Sequence, residues 1–124
     1  SAEGVGLEGR WRFVLGDDPT YADPAFDDGA WTTVLAPLDG GQYELDTVDG
    51  IAWLRRTFEL PGHLRREKLY ASMGIIDDAD EVYVNGMRLG GSGAFPPAPA
   101  SAWNQQRVYE VPDGMLRFGD EGPN

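Results

Sequence analysis

The segment Ile75-Ile76-Asp77-Asp78-Ala79-Asp80-Glu81-Val82-Tyr83-Val84-Asn85-Gly86-Met87-Arg88-Leu89-Gly90 decides how the rest of the chain is read. Val82 and Val84 alternate with Glu81, Tyr83 and Asn85, the period of a strand with one buried face. Asn85-Gly86 predicts a hairpin, because a type I′ turn needs positive φ at both central positions. The return strand runs from Met87 to Leu89, and Gly90-Gly91 ends it. Asp77, Asp78 and Asp80 stand in front. Short acidic side chains there can hydrogen-bond the backbone of a tight turn. The alternative is a set of polar contacts beside a binding surface, with Asp78 facing the ligand.

On either side of this hairpin lie short apolar runs separated by Gly- and Pro-rich turns. Glu67–Gly74 leads into it as a strand. Ile51–Leu60 is the longest expected strand, with Trp53, Arg55, Thr57 and Glu59 on one face and Leu54, Arg56, Phe58 and Leu60 on the other. Trp31–Ala36 and Gly9–Asp18 give two more, the latter with Trp11, Phe13 and Leu15 on one face. Gln106–Val111 is the last. The loop 17–31 holds five Asp, and Asp27 or Asp28 is expected to cap a short helical turn there, with Phe26 and Trp31 anchoring the loop. The 124 residues suit one domain spanning 1–124, and 17 Gly with 9 Pro suit an all-β domain with many turns.

The net charge of −11 argues against nucleic acid and against an anionic membrane surface. Without Cys there is no disulfide, thiolate metal site or thiol nucleophile. No signal peptide or apolar span is legible. The single histidine, His63, has no second His to pair with, no Ser stands in a nucleophile elbow, and no phosphate loop is present. The chain reads as non-catalytic.

Several of these runs carry a resemblance. Ile76–Gly86, the opening Trp11-Arg12-Phe13, the stretch Phe26-Asp27-Asp28-Gly29-Ala30-Trp31, and Gly50 with Trp53, Arg55, Arg56, Phe58, Leu60 and Pro61 resemble galactose-binding-domain-like jelly rolls. These include the sugar-binding domain of glycoside hydrolase family 2, the similar domain of sialate O-acetylesterases, and extracytoplasmic sensor domains of bacterial signalling proteins. The resemblance implies an all-β jelly-roll sandwich. Gly93, Phe95, Pro96, Trp103, Arg107 and Tyr109 resemble the sensor-type and esterase-associated version more than the glycosidase version. On that ground the leading expectation is a carbohydrate-binding sensory module of a larger bacterial protein, periplasmic or extracellular. An accessory domain of a family-2 glycosidase or of an O-acetylesterase is the first alternative, and a dimerising sandwich without ligand is the second. The closing strand of such jelly rolls is missing after Asn124, which implies either a chain cut short or an edge filled by another chain or a second copy.

Carbohydrate sites stack a sugar on an aromatic ring and fix its hydroxyls with polar neighbours. Trp103 is the expected platform, helped by Tyr43 or Trp53, with Arg55, Arg107, Asn104 and Asp78 orienting hydroxyls. For Trp103 and Tyr43 a packing role is an equal reading, and one Arg of the 55–56 pair is expected to reach the Asp77–Asp80 turn. No cofactor is expected beyond structural calcium, for which Asp27 and Asp28 are the weak candidates.

Overall fold

A computed structural model describes residues 4–36, 51–75, 80–92 and 106–124. Among these the chain forms seven strands: β1 (Gly9–Leu15), β2 (Thr32–Ala36), β3 (Ala52–Arg55), β4 (Tyr70–Ile75), β5 (Asp80–Val84), β6 (Met87–Ser92) and β7 (Gln106–Glu110). The only helical pieces among the described residues are short 3-10 turns, so the fold is all-β. The chain divides into two compact units, Ser1–Phe58 and Glu59–Asn124.

In the first unit β1 is the central strand, antiparallel to β2 on one side and β3 on the other. Trp11 lies opposite Val34, and Arg12 lies opposite both Thr33 and Arg55. Residues opposite one another in an antiparallel ladder share a face. One face therefore carries Trp11, Phe13 and Val34, and Val34 is 1% exposed. The other carries Arg10, Arg12, Thr33, Trp53 and Arg55. Leu15, expected to be inward, is half exposed at the end of β1.

The expected strand 51–60 is cut to four residues. β1 begins at Gly9, whose φ of 127° only glycine adopts readily. Beyond Arg55 the side chain of Arg56 reaches the backbone instead, donating to the Leu7 and Glu8 carbonyls at 2.8 and 2.9 Å.

In the second unit β4 pairs with β7 and β5 with β6. Asn85 (φ 51°) and Gly86 (φ 85°) form the turn predicted for them, with Val84 opposite Met87. The return strand runs on through Gly90-Gly91 to Ser92, past the expected stop. Gly90 pairs with Val82 in the ladder, and the Tyr109 ring closes over it so that no side chain fits. A Cβ there would sit 2.6 Å from Tyr109 Cδ1, and no real contact is that short. Among the side chains described in this unit, the buried apolar ones come from outside the strands: Leu60, Leu64, Met115 and Phe118. The Gly119 N–H donates to the Leu60 carbonyl at 2.8 Å, joining the two segments that supply them.

Candidate functional site

The loop 17–31 lies over the arginine face of the first sheet, and its aspartates write its shape. Asp18 accepts from the Thr20 N–H (2.9 Å) and hydroxyl (2.7 Å), capping the turn Pro19–Ala22. Asp23 accepts from the Ala25 N–H, and Asp27 from the Gly29 N–H. All three are two-residue Asx contacts, the local bond that short carboxylates make best. The cap is thus Asp18 rather than Asp27 or Asp28. The remaining two aspartates reach the sheet: Asp17 accepts from Trp53 Nε1 at 2.7 Å and Asp28 from Arg55 Nε at 2.8 Å.

Arg55 is the centre of this layer. Beyond Asp28, its Nη1 donates to the carbonyls of Tyr21 (2.6 Å) and Asp23 (3.0 Å), and its Nη2 to that of Phe26 (3.3 Å). Its guanidinium also lies 5.6 Å from the Phe26 ring centroid. Tyr21 packs edge-on against Phe26, Trp31 and Trp53 at centroid distances of 5.1, 4.9 and 5.9 Å. The planar fork of Arg fits this many-acceptor role in a way an ammonium does not.

Beside this clamp is a concavity of about 650 Å³. Arg10, Arg12, Arg55 and Arg56 line it, with Asp28 the one carboxylate among the lining residues. Thr33 and Thr57 add hydroxyls. Arg12 Nη1 donates to Thr33 Oγ1 at 3.1 Å and to the Trp31 carbonyl at 3.5 Å, and its Nε stands 4.0 Å from Asp28. Arg10 is exposed and meets no hydrogen-bond or ion-pair partner among the described residues. The arrangement has no acid–base pair. What it offers is an excess of positive charge with spare donors.

Of the residues expected to bind ligand, the structure brings Trp53 and Arg55 together, in the loop clamp. Arg55 reaches Asp28, a partner the sequence did not suggest. Tyr43, Asp78, Trp103 and Asn104 lie outside the described residues. For Arg107 the described part is its backbone in β7, opposite Gly74. Asp27 and Asp28, the calcium candidates, each have a partner within the chain. Their oxygens serve Gly29 and Arg55, and no group of three or more His, Asp or Glu side chains converges among the described residues. Sequence reasoning missed Arg10 and Arg12, although their alternation with Trp11 and Phe13 put them on one face.

No protein-family model matches the chain. A β-glucuronidase of Formosa agariphila is 24% identical over 90% of the chain, which covers 12% of that protein. The crystal structure of a Bacteroides uniformis β-glucuronidase matches with a TM-score of 0.75 and 23% identity, over 94% of this chain and 13% of that one. A β-glucuronidase from glycoside hydrolase family 2 matches with a TM-score of 0.71 and 19% identity, over 91% of this chain and 12% of that one. The chain therefore spans about an eighth of the length of these relatives. The all-β sandwich read from the sequence is the fold it shares with the matched segment. The comparisons fit the glycosidase-associated reading better than the sensory one, whose support came from residues 93–109, mostly outside the described part. Among the described residues no helix is long and apolar enough to cross a membrane. The resemblance to family-2 glycoside hydrolase domains thus holds in both sequence and fold.

Proposed function

We propose that this chain is a non-catalytic accessory β-domain of a larger glycoside hydrolase of the family-2 kind, acting on β-glucuronides. The observation that carries this is the fold match over 91–94% of the chain to two β-glucuronidases of which it makes up 12–13%. Glycoside hydrolysis needs two carboxylates flanking the scissile bond. The aspartates of the loop 17–31 are instead committed to turns, to Trp53 and to Arg55. The catalytic pair belongs to another part of the host protein, and this domain shapes or extends the sugar site. In this reading Trp103, Asn104, Arg107, Tyr43 and Asp78 remain the residues offered to a sugar, and the host protein works in the periplasm or outside the cell.

The test is hydrolysis by the full-length protein that contains this chain. Nitrophenyl β-D-glucuronide is offered beside the β-D-galactoside and β-D-mannoside. Selective release of nitrophenolate from the glucuronide is expected. A folded full-length protein that cleaves none of the three, or that cleaves only a neutral glycoside, would overturn the proposal.

A further inference from the structure

We infer that the concavity lined by Arg10, Arg12 and Thr33, beside the clamped Arg55, is an anion-binding subsite for the carboxylate or sulfate of an acidic saccharide. That the anion belongs to a saccharide rests on the carbohydrate reading above. That the concavity takes an anion does not.

The chain carries 21 acidic residues against 10 basic ones. Three of those ten basic residues, Arg10, Arg12 and Arg55, nevertheless share the sheet face at this one concavity. Like charges at short range repel, so their gathering calls for a counter-charge. Asp28 is the one carboxylate lining the site, and Arg55 holds it at 2.8 Å. Arg55 spends its donors on Asp28 and three carbonyls, so it contributes field rather than a free hydrogen bond. Arg56 is turned to the Leu7 and Glu8 carbonyls through Nη1. The free capacity lies with Arg10, exposed and unpartnered among the described residues, and with the remaining donors of Arg12. These two stand two positions apart on one face of β1, roughly 7 Å along the strand, a span that two oxygens of one anionic sugar can bridge. Thr33 and Thr57 can meet neutral hydroxyls. The volume lies within the usual range of small-molecule sites.

Calorimetric titration of the 124-residue chain at low ionic strength tests this, with D-glucuronate, D-galactose 6-sulfate, inorganic sulfate, D-glucose and D-galactose. Saturable binding of an acidic sugar, weakened by added salt and absent for the neutral sugars, is expected. Arg10→Gln should weaken it about tenfold. Arg88→Gln, an exposed position on β6, should leave it unchanged. Equal weakening by both variants would reduce the effect to net charge and overturn the subsite. So would binding of glucose as tight as glucuronate, or no binding of any anion. Inorganic sulfate competing as well as either sugar would overturn the saccharide assignment. Glucuronate binding through Arg10 in a chain whose host cleaves no glucuronide would sink the proposed function and support this inference.

Discussion

The loop 17–31 and the segment 115–124 both lie outside the strands, and each is fastened by different chemistry. Rings and one guanidinium hold the first. Tyr21 touches three aromatic neighbours, and Arg55 collects three carbonyls and a carboxylate. Amides hold the second. Asn85 Nδ2 donates to the Met115 carbonyl (2.8 Å) and to Asn124 Oδ1 (2.9 Å). Asn124 in turn accepts from the Arg117 N–H at 2.7 Å and donates to the Arg117 carbonyl at 2.9 Å, as a paired strand residue would. In the first region the fastening depends on one half-buried charge with many partners. In the second it is spread over several bonds, the neutral ones each worth about 1 kcal/mol net, with one exposed Arg65–Glu121 pair beside them. The difference predicts how each region fails: the first all at once, the second in steps.

Removing Arg55 is the severest way to test that contrast. Its side chain is 17% exposed, and Asp28 and three carbonyls would lose their donor together. Arg55→Ala should cost about 3–5 kcal/mol in urea unfolding, the usual penalty for breaking a partly buried, hydrogen-bonded ion pair. Arg55→Lys should recover only a small part, because an ammonium cannot reach acceptors on four residues from one plane. A loss below about 1 kcal/mol for the alanine variant would mean that the aromatic ring contacts hold the loop without the clamp.

Asn85 sharpens the other side. Its sequence position already accounts for it as a turn residue, so two substitutions separate its two roles. Asn85→Gly keeps the positive φ and loses both Nδ2 bonds, and should cost about 1–2 kcal/mol. Asn85→Ala loses the same bonds and adds about 1 kcal/mol for holding φ at 51° with a Cβ that nothing local compensates. If Asn85→Gly unfolds at the same urea concentration as the parent, the tip is only a turn and the amide clasp contributes nothing.

Those two residues also mark what the sequence made legible. Asn85-Gly86 announces its turn because positive φ is a local demand, met by two adjacent residue types. Strand alternation on either side of it is local too, and the seven strands fall close to the runs that suggested them. The partner of Arg55 is not local. Asp28 lies 27 residues away, and the sequence points instead to the acidic turn at Asp77–Asp80. Register explains the arginine concavity. Alternation puts Arg10 and Arg12 on one face, but only pairing with β3 adds Arg55 to them. Gly90 looked like a terminator because nothing nearby reveals the Tyr109 ring that lies on it. The five aspartates of the loop 17–31 could have been ligands or turn-formers by composition alone. Only the i to i+2 bonds of three of them, with Trp53 and Arg55 taking the others, decide between the two.

The smallest effect separates the two regions by salt. Each holds one exposed carboxylate below its ordinary pKa. In the first, the Thr20 N–H and then its hydroxyl lower Asp18. In the second, the Phe118 N–H lowers Glu121 most, followed by Arg65, whose Nη1 stands 2.9 Å from Glu121 Oε1. A carboxyl with a depressed folded-state pKa contributes stability that is fully present above its unfolded-state pKa. That stability is lost as pH falls through the lower folded-state value. Asp18→Asn and Glu121→Gln should therefore each be less stable than the parent near neutral pH, by a margin that closes on acidification. The donors to Asp18 are neutral, so its margin should survive 1 M NaCl, whereas the arginine share of the Glu121 margin should shrink as the charge is screened. Urea midpoints for the parent and both variants, taken across pH at low and high salt, read this directly. Equal salt sensitivity at the two sites would mean that the charged clamp in the second region matters no more than the neutral cap in the first.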